Sequence, residues 1–432
     1  MKSKELEWLY KELPELIAGG VITPECADAI RNYYGPGDKP GGSKTVLTVF
    51  GLIGGSLVGL GIILILAHNW DALSRMTRLA VAVGMLLFAQ GLAGYALLRR
   101  RGSAGWTEGS AAFLMLMLGA AIALVGQTYQ LVDDAGAFLL TWMALSAPLP
   151  YLLGATTPAV LYLAGITAWT FTGYSGGTEK LLVWGLLAVI GPYCWRLLKA
   201  DRYANPAVVL AWALTLCVYI CFGTMLGKYG GRLATADYGS LFAITYLAGV
   251  RWFDGAVRGW KKPFKFLGLA GGIGLSFLLT FRSFWQAEAA RLNAAGAGEY
   301  VLALALLGAV IVLGRPFLRP WRGRTLLLGA APLVIALGFF LLGLDPGGIS
   351  PAILLNAYLL VLGVILIVSG VRQGSLGVLN LGMLLLAALI AARFFDISFS
   401  FAARGLVFVI LGAGFLIANL IMVRRKSGVG EE

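Results

Sequence analysis

Three short stretches hold most of the side chains able to do chemistry: His68-Asn69-Trp70-Asp71, the group Gln127, Tyr129, Gln130, Asp133 and Asp134, and the group Arg393, Asp396 and Arg404. Arginine and amide donors gathered at one depth suit an anionic head group such as a phosphate, because the guanidinium fork matches its oxygens. The aspartates suit a cation or a proton instead. Histidine is the side chain whose unperturbed charge change falls near neutral pH, and His68 with Asp71 is the one acid–base pair on which an enzyme could be built. The same residues also have structural readings. Asp71, Asp133 and Asp134 can cap the helices that follow them. Trp70, Tyr129 and Trp285 fit an interfacial aromatic belt, and Arg393 with Asp396 can pair across a turn. One histidine among scattered carboxylates has no metal-ligand spacing. No metal and no cofactor is implied.

The elements that must position these residues are membrane helices. The chain has 432 residues, of which 59% are hydrophobic and 13% charged, with a mean hydropathy of +0.82. Soluble domains run at roughly 45–50% apolar and 25% charged, so a water-soluble enzyme is excluded. The apolar runs are about 17–23 residues long, enough to cross a bilayer as helix. The sequence is all-α and polytopic, with fourteen expected helices. The first seven fall near 45–66, 76–98, 109–127, 137–153, 158–173, 180–198 and 206–226. The rest fall near 238–253, 264–281, 299–314, 324–342, 351–370, 376–392 and 402–423. If the fourth and fifth, parted only by residues 154–157, form a re-entrant hairpin, the count is twelve. Cys194, Cys217 and Cys221 fall inside apolar runs and read as small buried hydrophobes.

Lysine and arginine favour the cytoplasmic side. With both termini cytoplasmic, 25 of the 34 basic residues fall inside and nine outside. This bias accounts for the net charge of +13 without nucleic acid as a partner; membrane lipid, and other membrane or periplasmic proteins, are the expected partners. All three polar stretches then lie at the outer face. Their shared depth and the cost of unpaired buried charge predict that they converge, Arg393 pairing with Asp71 or Asp134. Residues 1–44 form a cytoplasmic domain, and 45–426 the membrane domain. Leu6, Leu9, Leu13 and Ile17 recur at helical spacing, and Gly19-Gly20 ends that helix. Thr23 caps a second, with Pro24 in its first turn.

The stretches Ala67-His-Asn-Trp-Asp71, Gly126-Gln-Thr-Tyr-Gln130 and Arg393-Phe-Phe-Asp396 resemble a bacterial predicted-membrane-protein family catalogued as domain of unknown function 2157. Gly20-Val-Ile-Thr-Pro24 looks like the same family's entry segment. The similarity is clearest over residues 1–150, with a second region near 350–425. The resemblance implies a bacterial inner-membrane protein and supplies no activity and no catalytic residues.

Within the apolar runs, Gly51, Gly55 and Gly59 form a small-residue ridge, repeated at Gly268 and Gly272; such ridges admit a close neighbour. Gln90, Asn356 and Asn380 either line a cavity or bond a neighbouring helix. Residues 59–65 and 362–367 share a Leu-Ile-Gly pattern in oppositely directed helices, as inverted repeats would. Little soluble mass and polar groups at one mouth point to a transporter or lipid-handling permease. A non-enzymatic scaffold or sensor binding partner proteins, and an integral-membrane enzyme on lipid-linked substrates, are the alternatives.

Overall fold

The computed structural model describes residues 3–34, 73–100, 103–130, 134–172, 182–228, 233–255, 259–292, 296–319, 322–396 and Val409. His68 to Asp71, Asp133 and Arg404, the side chain of Asp396, and the expected helices near 45–66 and 402–423 lie outside the described residues. The chain divides into two compact units, Met1–Val81 and Ala82–Glu432.

The first unit holds α1 (Ser3–Ala18) and α2 (Pro24–Tyr34), joined by a short turn. Gly20 takes φ +70° just past α1, the left-handed conformation that ends a helix and that glycine adopts without strain. Thr23 Oγ1 accepts from the Cys26 amide at 3.3 Å. Leu13 and Ala27 are buried between the helices, whereas Tyr33 stays exposed.

The division between the units falls within α3 (Arg75–Arg99). Beyond it come α4 (Ala104–Thr128), α5 (Ala135–Ser146), α6 (Leu149–Leu153), α7 (Thr156–Phe171), α8 (Leu182–Asp201) and α9 (Asn205–Lys228). These are followed by α10 (Ala234–Trp252), α11 (Pro263–Leu278), α12 (Arg282–Leu292) and α13 (Ala297–Gly314). Last come α14 (Gly323–Gly329), α15 (Ala331–Leu344), α16 (Ile349–Arg372) and α17 (Leu376–Asp396). Among the described residues eight helical segments are long and apolar enough to cross a bilayer, or ten if each of two bent pairs counts as one span. The chain is therefore a multi-pass membrane protein.

The difference from the fourteen expected helices has physical causes. Two of them lie outside the described residues. The expected fifth, α7, has 16 residues, about 24 Å at 1.5 Å per residue, and the expected eighth, α10, carries Asp237 and Arg251. The expected ninth breaks after Leu278 and turns by 87° into α12. The expected eleventh bends by 46° between α14 and α15, where Pro332 in the first turn of α15 lacks an amide to continue the ladder.

Contacts between helix ends sort the connecting segments into two groups. Glu108 at the start of α4 accepts the Thr156 and Thr157 amides that open α7, at 2.8 and 2.7 Å. At this same end Arg202 donates to Trp252 O at 2.6 Å, Lys261 to Tyr203 O at 2.6 Å and Arg324 to Gln373 Oε1 at 2.7 Å. Asp254 joins Lys262 and Lys265 there at 3.1 and 2.6 Å. The opposite group ties Thr235 to Glu288 at 3.1 Å, Arg282 to Gly347 O at 2.8 Å and Asn356 to Thr280 O at 3.0 Å. Successive spans thus alternate in direction.

One core gathers Met115, Met143, Tyr162, Ile166 and Ile190 with Cys194, Cys217 and Cys221, all three thiols buried as small hydrophobes. A second gathers Trp285, Ile335, Leu355, Leu359 and Leu366. Close approach of α16 and α17 rests on missing side chains. A Cβ at Gly382 would stand 2.8 Å from both Gly363 O and Ile367 N. Of the Gly268/Gly272 ridge, Gly268 meets the α10 backbone beside Tyr246, while Gly272 makes ordinary contact only. Gly382→Leu should therefore lower the thermal midpoint in detergent by several degrees, since overpacking costs about 1–3 kcal/mol. Gly274→Ala, where a Cβ meets nothing within 4 Å, should leave it unchanged or higher. Equal effects of the two would refute a backbone-limited α16–α17 contact.

Candidate functional site

The second polar stretch of the sequence lines an open cleft of about 700 Å³ in the angle between α4 and α5. The spacing of side chains builds it as a ladder. On α4, Gly119, Ala123 and Gln127 follow one another at four-residue steps, so they share a face, and Gln130 follows just past the helix end. On α5 the facing residues are Asp134, Phe138 and Trp142, again four apart. At the narrow end Trp142 lies where a Cβ at Gly119 would be 2.5 Å from its ring, and its indole donates to Met115 O at 2.8 Å. Phe138 packs against Trp142 with ring centroids 5.7 Å apart. Above them the helices diverge. Ile122, Ala123 and Phe138 form the apolar walls, and Gln127, Gln130 and Asp134 the polar rim.

Two local features set that rim. Asp134 caps α5, its Oδ1 accepting from the Gly136 and Ala137 amides at 2.8 and 3.1 Å, so its structural reading is correct. Gln130, just past the end of α4, has φ +52° and is alone in this among the described non-glycine residues. That left-handed position normally takes glycine, and a side chain there costs of order 1 kcal/mol. Gln127, Tyr129 and Gln130 are all exposed.

Of the third stretch, the side chain of Arg393 alone is described. Arg393 Nη2 donates to Thr280 Oγ1 at 3.0 Å, and its guanidinium lies 4.7 Å from the centre of the Phe281 ring. Asp134 Oδ1 is held by the amides of its own helix, and pairing of Arg393 with Asp71 lies outside the described residues. Of the three expected cavity groups, Asn356 bonds a neighbouring helix, donating to Thr280 O and Ala352 O at 3.0 and 2.8 Å. Gln90 and Asn380 are exposed on α3 and α17, not buried.

Asn356 and Arg393 thus meet at the break between α11 and α12, which the sequence reading missed. A helix interrupted within an apolar protein frees carbonyls that need partners. Leu279 O receives the Trp285 indole at 2.7 Å, and Thr280 O receives Asn356 at 3.0 Å. Trp285 is no belt residue. It is fully buried, seated against Gly338 and Gly348, where a Cβ would approach its atoms to 2.5 and 2.7 Å. The signal for the break was the polarity of 282–292, read as loop. Beside it, the Ser350 amide at 2.8 Å, the Ser350 hydroxyl at 2.9 Å and the Gly347 and Ile349 amides at 3.1 Å converge on the Asp345 carboxylate. The Ser350 amide, followed by its hydroxyl, holds this carboxyl below its ordinary value.

A folded pKa below the unfolded one gives stability that is complete above the unfolded value, about 3.9 for aspartate, and is lost as pH falls through the folded value. Asp345→Ala should lower the thermal midpoint by an amount that is constant from about pH 5 to 8 and shrinks below about pH 4. A deficit unchanged at about pH 3 would show that the carboxylate charge is irrelevant to the cap.

No curated protein and no solved structure matches the chain. One family model does, over a stretch short of half the chain that contains the α4–α5 cleft and stops before the α11–α12 break. The second region of resemblance, near 350–425, lies beyond that match. By its residues 14–159 the chain is matched to the family described as predicted membrane protein, DUF2157.

Proposed function

We propose that this protein is a membrane transporter or lipid-handling permease, with the α4–α5 cleft as its substrate entrance. One observation carries the reading: an open cleft of about 700 Å³ has a polar rim and apolar walls, the division that an amphiphile has. Ligand sites of roughly 300–1,000 Å³ that mix apolar walls with a few placed polar groups are the common kind. The interrupted α11–α12 pair supports the same reading, because discontinuous helices accompany substrate sites in secondary transporters. A scaffold or sensor remains the alternative, favoured by the exposed Val21 and Tyr33 of the N-terminal hairpin.

In this reading the protein sits in a bacterial inner membrane with both termini cytoplasmic, and the cleft opens on the outer face. The two groups of helix-end contacts support that arrangement, since each joins segments that the 25-to-9 basic-residue bias assigns to one side. Cysteines introduced at Ser103 and Ser175 test it in whole cells: an impermeant thiol reagent should label position 175 and spare 103. The reverse pattern would overturn the orientation.

Transport itself is tested with purified full-length protein in liposomes carrying fluorescent short-chain lipids. Quenching of the outer leaflet should show protein-dependent exchange between leaflets. Ala123→Trp, which fills the cleft wall, should slow that exchange about tenfold, a barrier change of about 1.4 kcal/mol. Exchange no faster than in protein-free liposomes for every head group tried would contradict the permease reading.

A further inference from the structure

We infer that the α4–α5 cleft takes an uncharged, hydroxyl-rich head group, that of a glycosylated amphiphile, and not a phosphate or an amine; this rests on the amphiphile reading above. None of the described residues lining the cleft is lysine or arginine. An anionic head group would therefore find no guanidinium or ammonium among them and would meet the Asp134 carboxylate. Of the arginines expected to serve it, Arg393 donates to Thr280 Oγ1 and lies over the Phe281 ring, and Arg404 lies outside the described residues. An amine is also poorly served. Asp134 is the one acid among the described residues of the cleft's lining, and its Oδ1 already accepts two amides.

What the rim does offer is two carboxamides. Each glutamine side chain both donates and accepts, as a hydroxyl does, so Gln127 and Gln130 match vicinal hydroxyls in either sense. Asp134 Oδ2 adds an acceptor at the same rim. Phe138 presents an aromatic surface on the wall below, suited to the C–H face of a sugar ring, and Ile122 and Ala123 continue as apolar lining for the hydrocarbon beyond it. The backbone supplies a further pointer. Gln130 keeps a side chain at φ +52°, where glycine would be at ease, so its amide is present at a conformational cost. A binding role for that amide accounts for the cost; a structural role does not, because glycine would close the helix better.

The test uses full-length protein in phosphatidylcholine nanodiscs, titrated with short-chain monoglucosyl diacylglycerol, with phosphatidic acid of the same chains, and with an alkylamine. The glucosyl lipid should bind saturably and at least about tenfold tighter than the other two. Gln130→Gly should weaken it about tenfold, the loss of one or two hydrogen bonds, while its thermal midpoint stays equal or rises. Gln130→Asn, which tolerates the left-handed conformation and keeps the amide, should restore part of the affinity. Gln127→Met provides a second deletion of an amide at similar volume, should the first variant fail to fold. Phosphatidic acid or the amine binding as well as the glucosyl lipid would overturn the inference, as would full glucosyl affinity in the glutamine variants or no binding in the wild type. Saturable glucosyl binding without leaflet exchange would instead contradict the permease reading and leave the ligand class standing.

Discussion

Inside a bilayer every peptide group must find its partner within the protein, and the fold is organised by the places where helices stop. The interrupted ends are met by side chains, some from another helix and some from the adjoining turn. Glu108 of α4 supplies both carboxylate oxygens to the amides that open α7. Trp285 and Asn356 take the carbonyls released between α11 and α12. Asp345 gathers the amides ahead of α16. These contacts fix which helix ends lie together, so they also fix the alternation of the spans. Apolar packing then adds the rest, closest where glycine lets backbones meet, at Gly268 of α11 against α10 and at Gly382 of α17 against α16.

Against that background the α4–α5 junction is different in kind. Its cap is local, from Asp134 to its own helix, as Asp345 is to α16, but the two glutamines on the rim are exposed beside an open volume. At the α11–α12 break the polar side chains are turned inward onto peptide groups. Here they are turned onto space. Trp142 wedged against Gly119 holds the two helices together at one end, and the angle above it is what a ligand can enter. The strain at Gln130 belongs to the same feature, because the wall that needs an amide is also the point where α4 must end.

Much of this was legible in the sequence, for physical reasons that differ from residue to residue. Long apolar runs marked α3, α9, α16 and α17 to within a few residues, because a buried helix in lipid has no other signature to hide it. Gly20 and Thr23-Pro24 marked the N-terminal turn through backbone preferences alone. The Gln127–Asp134 stretch stood out because amides and carboxylates are rare beside apolar runs. The break after Leu278 was hard to see, since Leu279 and Phe281 continue the apolar pattern, and the polar segment 282–292 that marks it reads as a loop until the partners of Thr280 are placed. Depth alone does not name a partner for Arg393: a hydroxyl and an aromatic face meet part of the cost of its charge, and the Asp71 expected beside it lies outside the described residues. Trp285 likewise looked like a belt residue until the glycines that receive its ring were placed around it.

The central claim is that the angle between α4 and α5 is a site for an amphiphile and is not an accident of helix divergence. Density from the full-length protein, extracted and imaged in its native membrane lipids, tests this most directly. The account predicts an elongated non-protein feature in the cleft, its head within about 3.2 Å of the Gln127 and Gln130 amides and its tail along Phe138 and Ile122. A cleft filled by the protein's own side chains, with both amides bonded to them, would contradict it.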